Sequence, residues 1–259
     1  MQAPQPTGRN PLIFAVSMLA LLALWTVLAA LKGDPATLPP PQTVAAILWD
    51  EAASGPLLLH LFVTLRRVAA GFVIAMTIGT ILGLMLGRSR RLNIWAEPWV
   101  VVLSNLPALV VIVLCYLWIG LTEAAAVTAV ALSKTPMVVV TLREGVRAMD
   151  PALDEMSRVF RLTRWTRLRH VTAPQLAPWF AACARNGLAV IWKIVLVVEF
   201  LGRSNGIGFQ IHLYFQLFDI ARVLAYALSF VAVMLVVDFG LIQPWERSAA
   251  RWRRSATTR

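Results

Sequence analysis

Charge is scarce in this sequence, and acidic charge is the scarcest. Only 14% of its 259 residues are charged, and 13 of them are Asp or Glu. Soluble domains carry about 25% charged residues, so most of this surface does not face water, and a bilayer is its simplest solvent. Cysteine is nearly missing. Cys115 and Cys183 both fall inside apolar stretches and behave as small buried hydrophobes, so no disulfide framework is expected. His60, His170 and His212 lie far apart without metal-ligand spacing, so no metal site is expected. No G-x-x-x-x-G-K-[ST] segment occurs, which excludes an ATP site of that type in this chain. A membrane-embedded enzyme would cluster His, Asp or Ser–Lys groups near one face. No such cluster occurs, and no catalytic residue is expected.

What the chain has instead is apolar length. It is 59% hydrophobic, with a mean hydropathy of +0.71. Crossing ~30 Å of hydrocarbon takes about 20 residues. Six runs qualify: 11–31, 65–87, 98–119, 123–142, 178–201 and 222–243. The first is too long for a signal-peptide core and lacks a small-residue cleavage site, so it is expected to be retained. These runs predict an all-α, polytopic membrane protein with about six transmembrane helices. A stand-alone channel or secondary transporter would call for an inverted internal repeat or several buried carboxylates. The two halves differ in loops and proline positions, and neither feature is visible.

The net charge of +11 would suggest nucleic acid in a soluble protein. Here the basic residues sit between apolar runs, so no continuous basic face forms and no nucleic-acid partner is expected. Alternate loops hold sixteen arginines on one side, Arg88, Arg90, Arg91 and Arg143 among them. The other side holds three basic residues: Lys32, Arg203 and Arg222. By the positive-inside rule both termini face the cytoplasm. The organisation expected is a cytoplasmic N-terminus (1–10), a first span, and a Pro-rich external connector (32–64) with a short interfacial helix over Val44–Asp50. A core follows (65–243), with a cytoplasmic loop at 143–177 and a basic tail (244–259).

Inside the spans, Gly71, Ala75, Gly79, Gly83 and Gly87 recur every four residues on one helical stripe, which lets another helix approach closely. Pro107 and Pro136 predict breaks in the third and fourth spans. Ionisable groups are costly in lipid and usually face the bundle interior. Lys134, Lys193 and Glu199, with Asn105, are therefore the candidate pathway residues, and Lys134 with Glu199 is a plausible cross-helix pair. Arg185 and Asp238 are expected as interfacial anchors.

The segment Arg143–Pro178 is polar, amphipathic and long for a loop. Asp150-Pro151 is a helix start, with Asp as cap and Pro in the first turn. Leu153, Met156, Val159 and Phe160 fall at helical spacing, and a second short helix could start at Thr163. An apolar face here needs either a protein partner or its own bundle.

Asp150-Pro-Ala-Leu-Asp-Glu-Met-Ser-Arg, followed by Trp165-Thr-Arg-Leu-Arg-His-Val-Thr-Ala-Pro174, resembles the EAA loop of binding-protein-dependent ABC importer permeases. His60-Leu-Phe-Val-Thr-Leu-Arg-Arg-Val-Ala-Ala-Gly-Phe and Val198-Glu-Phe-Leu-Gly-Arg-Ser-Asn-Gly-Ile-Gly are similar to its nitrate, taurine and aliphatic-sulfonate branch. The resemblance implies a type I importer permease (MetI-like) fold in the bacterial inner membrane. It implies that Asp150, Pro151, Glu155, Met156, Ser157, Arg158, Arg161, Trp165 and Pro174 couple to an ATPase. It implies as partners a second permease subunit as homodimer, two cytoplasmic ABC ATPase subunits holding ATP and Mg, a periplasmic or lipid-anchored substrate-binding protein, and membrane lipid. The substrate implied is a small anion; related permeases serve neutral or cationic heterocycles such as thiamine precursors. The chain departs from the pattern at Met156, Ser157 and Ala173, and most at Arg161, where the family has glycine. Arginine in a left-handed helix-ending turn costs about 1 kcal/mol or more.

Overall fold

Residues 11–238 and 240 are described by a computed structural model. The expected cytoplasmic N-terminus, the basic tail and the end of the sixth apolar run lie outside them. All secondary structure among the described residues is helical: α1 (Pro11–Lys32), α2 (Pro41–Ala53), α3 (Leu57–Arg88), α4 (Arg90–Asn105), α5 (Ala108–Ile119), α6 (Glu123–Arg147), α7 (Pro151–Val159), α8 (Arg164–Arg167), α9 (Ala173–Gly202), α10 (Ile207–Gln216) and α11 (Ile220–Val237). A π-turn, Leu168–Thr172, joins α8 to α9, making one continuous span Arg164–Gly202. Among the described residues five helices are long and apolar enough to cross a membrane, or six when α4 and α5 count as one bent span.

The centre of the bundle is the pair α3 and α6, which run parallel. A Cβ added to Gly71, Gly79, Gly83 or Gly87 would lie within 3.0 Å of Val130, Val138, Leu142 or Val146, each 59 residues further along. Each notch takes one knob of α6, so the small-residue stripe is the surface on which the two helices meet at close range. Helix α9 runs back against both, with Trp179 laid over Gly145. One apolar core gathers Ile112, Tyr116, Trp192, Tyr226 and Phe230, and a second holds Met76, Val138, Leu142, Cys183 and Ala184. Helix α1 stands largely exposed along its length, tethered through the Trp25 indole N–H, which donates to the Pro39 carbonyl at 3.1 Å.

Two proline expectations part ways. At Leu106–Pro107 the third run breaks into α4 and α5, bent by 97°, and the arginine-rich stretch expected as a loop forms the first turn of α4. Pro136, however, lies within an unbroken α6. Proline removes one backbone donor; beside it, the hydroxyls of Ser133 and Thr135 donate to the carbonyls of Ala129 and Ala131 at 2.7 Å, within the helix. Pro178 is likewise carried inside α9.

Candidate functional site: a buried ion-pair hub, a basic face on α9 and the α7–α8 loop

At the end of the bundle remote from α7, four charged groups meet in one hub. The Arg67 side chain on α3 is 2% exposed and makes five hydrogen bonds. Its Nη1 donates to Glu199 Oε1 at 2.7 Å and to the Asn205 carbonyl at 2.8 Å. Its Nε donates to Glu123 Oε2 at 2.9 Å, and Nη2 reaches the side chains of Glu123 and Asn205. The fully buried Glu199 carboxylate also accepts from the Thr64 hydroxyl and the Gly208 N–H, both at 2.9 Å. The Gly206 N–H donates to His60 Nδ1 at 2.9 Å, so the neutral imidazole carries its proton on Nε2. The Gln210 side-chain amide packs against the other ring nitrogen, with its Nε2 at 2.6 Å from His60 Nε2. Gly206 has φ +107°, and a Cβ there would overlap the Glu199 carboxylate. Arg203 adds bonds to the Leu121 carbonyl at 2.6 Å and to Glu123 at 2.9 Å. The hub thus ties α3, α6, α9 and α10 together.

This corrects the expected pairing. The cation of Glu199 is Arg67, not Lys134. Lys134 is 2% exposed and deeper in the bundle, its Cε beside Gly187 and its ammonium against the Met137 sulfur. No carboxylate among the described residues pairs with it. Arg67 was missed because the second span was expected to begin at 65. Helix α3 begins at Leu57, which puts His60, Thr64 and Arg67 on one face at spacings of four and three.

Lys193 stands elsewhere. With Arg185, Asn186 and Ala189 it occupies an exposed face of α9. At 1.5 Å per residue, Lys193 lies about 14 Å from Gly202, and Arg185 about 26 Å from it. Against ~30 Å of hydrocarbon, Lys193 is inside the span and Arg185 stands close to its far edge. Asn105 is exposed at the end of α4, its amide donating to the Val101 carbonyl at 2.8 Å.

At the opposite end, α7 and α8 fold as a hairpin outside the bundle. The Asp150 carboxylate accepts from the Ala152 N–H at 2.9 Å and caps α7, with Pro151 in its first turn. Asp154 accepts from Arg158 at 3.0 Å and from Arg167, bridging α7 to α8. Partial burial would push its carboxyl up, but the two guanidiniums outweigh this and hold it below its ordinary value of 3.8. Ser157 is buried, its hydroxyl donating to the Asp154 carbonyl at 2.6 Å. Glu155 and Met156 are exposed, as are Val159, Phe160 and Trp165, the last three by 77%, 71% and 68%. Thr163 caps α8, and Pro174 lies in the first turn of α9.

Arg161 is left-handed, with φ +48°. The Leu162 N–H donates to the Ser157 carbonyl and the Arg161 N–H to that of Arg158, both at 3.0 Å. This is the Schellman ending that glycine favours. Arginine keeps the geometry of a glycine-terminated turn, and two backbone bonds offset its steric cost.

A profile described as "Binding-protein-dependent transport system inner membrane component" matches residues 75–241, and the chain belongs to this family of multi-pass transport permeases. A putative aliphatic sulfonates transport permease of Bacillus subtilis is 29% identical over 91% of this chain and 85% of its own length. A riboflavin transport system permease of Chloroflexus aurantiacus is 31% identical over 93% of this chain and 90% of its own. The crystal structure of an amino acid ABC transporter shares the fold, with a TM-score of 0.63 at 22% identity, covering 78% of this chain and 98% of that one.

Proposed function

We propose that this chain lines the translocation pathway of an ABC importer for a small organic or inorganic anion, of the sulfonate or nitrate type, paired with a second copy of itself. The observation that carries this reading is the exposed basic and polar face of α9. Charged groups at that depth face lipid only at high cost. Lys193 therefore borders a water-filled passage between subunits, where it attracts an anion. Lys134, buried without a carboxylate partner among the described residues, is a second positive charge within the same bundle. The sulfonate permease relative supports the anionic class.

In this reading the sixteen-to-three bias of basic residues supports termini and α7 in the cytoplasm and the Arg67 hub at the external side. A water-side hairpin with Phe160, Val159 and Trp165 exposed requires a protein cover. Two cytoplasmic ATPase subunits, which bind ATP and Mg, supply it. A substrate-binding protein delivers solute at the hub side. Closure of the ATPases moves α7 and α8 and opens the passage outward; this chain performs no covalent chemistry. The riboflavin permease relative favours a second reading, a heterocycle carried by the same machinery.

The test is uptake into proteoliposomes holding the full transporter and its binding protein. Lys193→Glu should lower sulfonate uptake about tenfold or more, equivalent to ~1.4 kcal/mol, while stimulated ATP hydrolysis persists. Unchanged uptake would defeat the anion pathway. Failure of a Walker A subunit to travel with the chain in mild detergent would defeat the importer itself.

A further inference from the structure

The transport reading leaves one charged cavity unused. It lies where α7 and α8 meet the end of α3, has a volume of about 370 Å³, and is bordered by Arg88, Arg158, Arg167, Asp150, Asp154 and Thr172. Three guanidiniums face two carboxylates, and both carboxylates are engaged. Asp150 caps the Ala152 N–H, and Asp154 accepts from Arg158 and Arg167. The guanidiniums are less satisfied. Arg167 Nε is buried without a hydrogen-bond partner. Arg88, from α3, reaches the buried Thr172 hydroxyl at 3.2 Å and forms no ion pair among the described residues. A cavity with one surplus positive charge and idle N–H donors, on the water side of the bundle, fits an anion.

We propose that this cavity binds a tetrahedral oxyanion, a phosphate or sulfonate group, between Arg88 of α3 and Arg167 and Arg158 of the α7–α8 hairpin. Guanidinium forks match such oxygens two at a time, with short charge-assisted bonds. A liquid water takes about 30 Å³, so the cavity has room for the group and the carbon or glycerol attached to it. A bound anion bridges the hairpin to the bundle and holds the two in their present relation. On the importer reading, that slows ATPase-driven movement when the anion is abundant on the hairpin side. The chemistry is shared by a free anion and by the headgroup of an acidic phospholipid.

Thermal unfolding of the purified full-length chain tests the site without any ATPase, so its failure is separable from failure of the importer reading. In neutral detergent, sodium sulfate and sodium phosphate are titrated against sodium chloride at equal ionic strength. A free-anion site gives a saturable rise in midpoint beyond chloride. In phosphatidylcholine nanodiscs, added phosphatidylglycerol giving that rise, with sulfate adding nothing, identifies the headgroup as the source. Arg88→Gln removes a side chain outside every ion pair among the described residues, and Arg167→Lys keeps the charge but loses the fork. Each should weaken apparent affinity about tenfold. The proposal is overturned if sulfate, phosphate and phosphatidylglycerol all act as chloride does. It is equally overturned if Arg88→Gln responds as the unaltered chain does.

Discussion

Replacing Arg67 with methionine keeps an unbranched apolar stem but removes the guanidinium and all five of its hydrogen bonds. Glu199 then keeps the Thr64 hydroxyl and the Gly208 N–H but has no counter-charge, with none of its surface exposed. Breaking one side of a buried pair costs about 3–5 kcal/mol, because the surviving charge stays buried. At roughly 2–4 °C per kcal/mol for a chain of this size, the midpoint falls by about 6–20 °C. Adding Glu199→Gln removes the stranded charge. The double variant should therefore unfold above Arg67→Met alone, although it has lost more native groups. Glu123 keeps Arg203 at 2.9 Å throughout, so the cycle isolates the Arg67–Glu199 bond. The assay is a thermal series on the four proteins in one detergent. Midpoints that add within about 0.5 kcal/mol would mean that the two residues do not act as a pair, and the hub description would fail.

Three further outcomes are expected. Gly79→Leu drives a side chain into Val138, where even a Cβ would lie at 2.5 Å. It should destabilise by about 1–3 kcal/mol or more in the same thermal assay, whereas Ile78→Leu, on the exposed face of α3, should be neutral. At Arg161, glycine relieves the left-handed backbone and should raise resistance of the hairpin to limited proteolysis, while valine, being β-branched, should lower it sharply. Asp154 has a depressed folded pKa, so its ion pairs contribute above 3.8 and are lost as pH falls through the lower folded value. Hairpin protection in hydrogen exchange should hold across neutral pH, and Asp154→Asn should reproduce the acid loss at pH 7.

The legible part of the fold was what lipid dictates by length alone. The spans containing Leu65–Arg88, Glu123–Arg147 and the second half of α9 follow from runs of about 20 apolar residues. The caps Asp150 and Thr163 were also legible, because a capping side chain sits next to the donors it serves. The α3–α6 contact was half legible: four-residue spacing marked the notches, but not which knobs fill them. The Arg67 hub was illegible for a different reason. Its partners are separated by up to 150 residues, and pairing across that distance leaves no periodic trace. Lys134 and Glu199 are both buried ionisable groups in neighbouring spans, and sequence carries no depth coordinate to keep them apart. Pro107 and Pro136 look alike in sequence. Only the first ends its helix.

The ladder between α3 and α6 has a mechanical side. Gly71 to Gly87 spans about 24 Å, and along it each notch is occupied by a branched side chain. Continuous slippage would drive Val138 or Val146 into the backbone between notches, so the two helices translate and tilt as one stiff lever. One end of that lever carries Arg88 and the hairpin; the other carries Arg67. A push at the hairpin therefore arrives at the hub with little loss along α3 and α6, and compliance has to come from the elbow at Leu106–Pro107 and the π-turn at Leu168–Thr172.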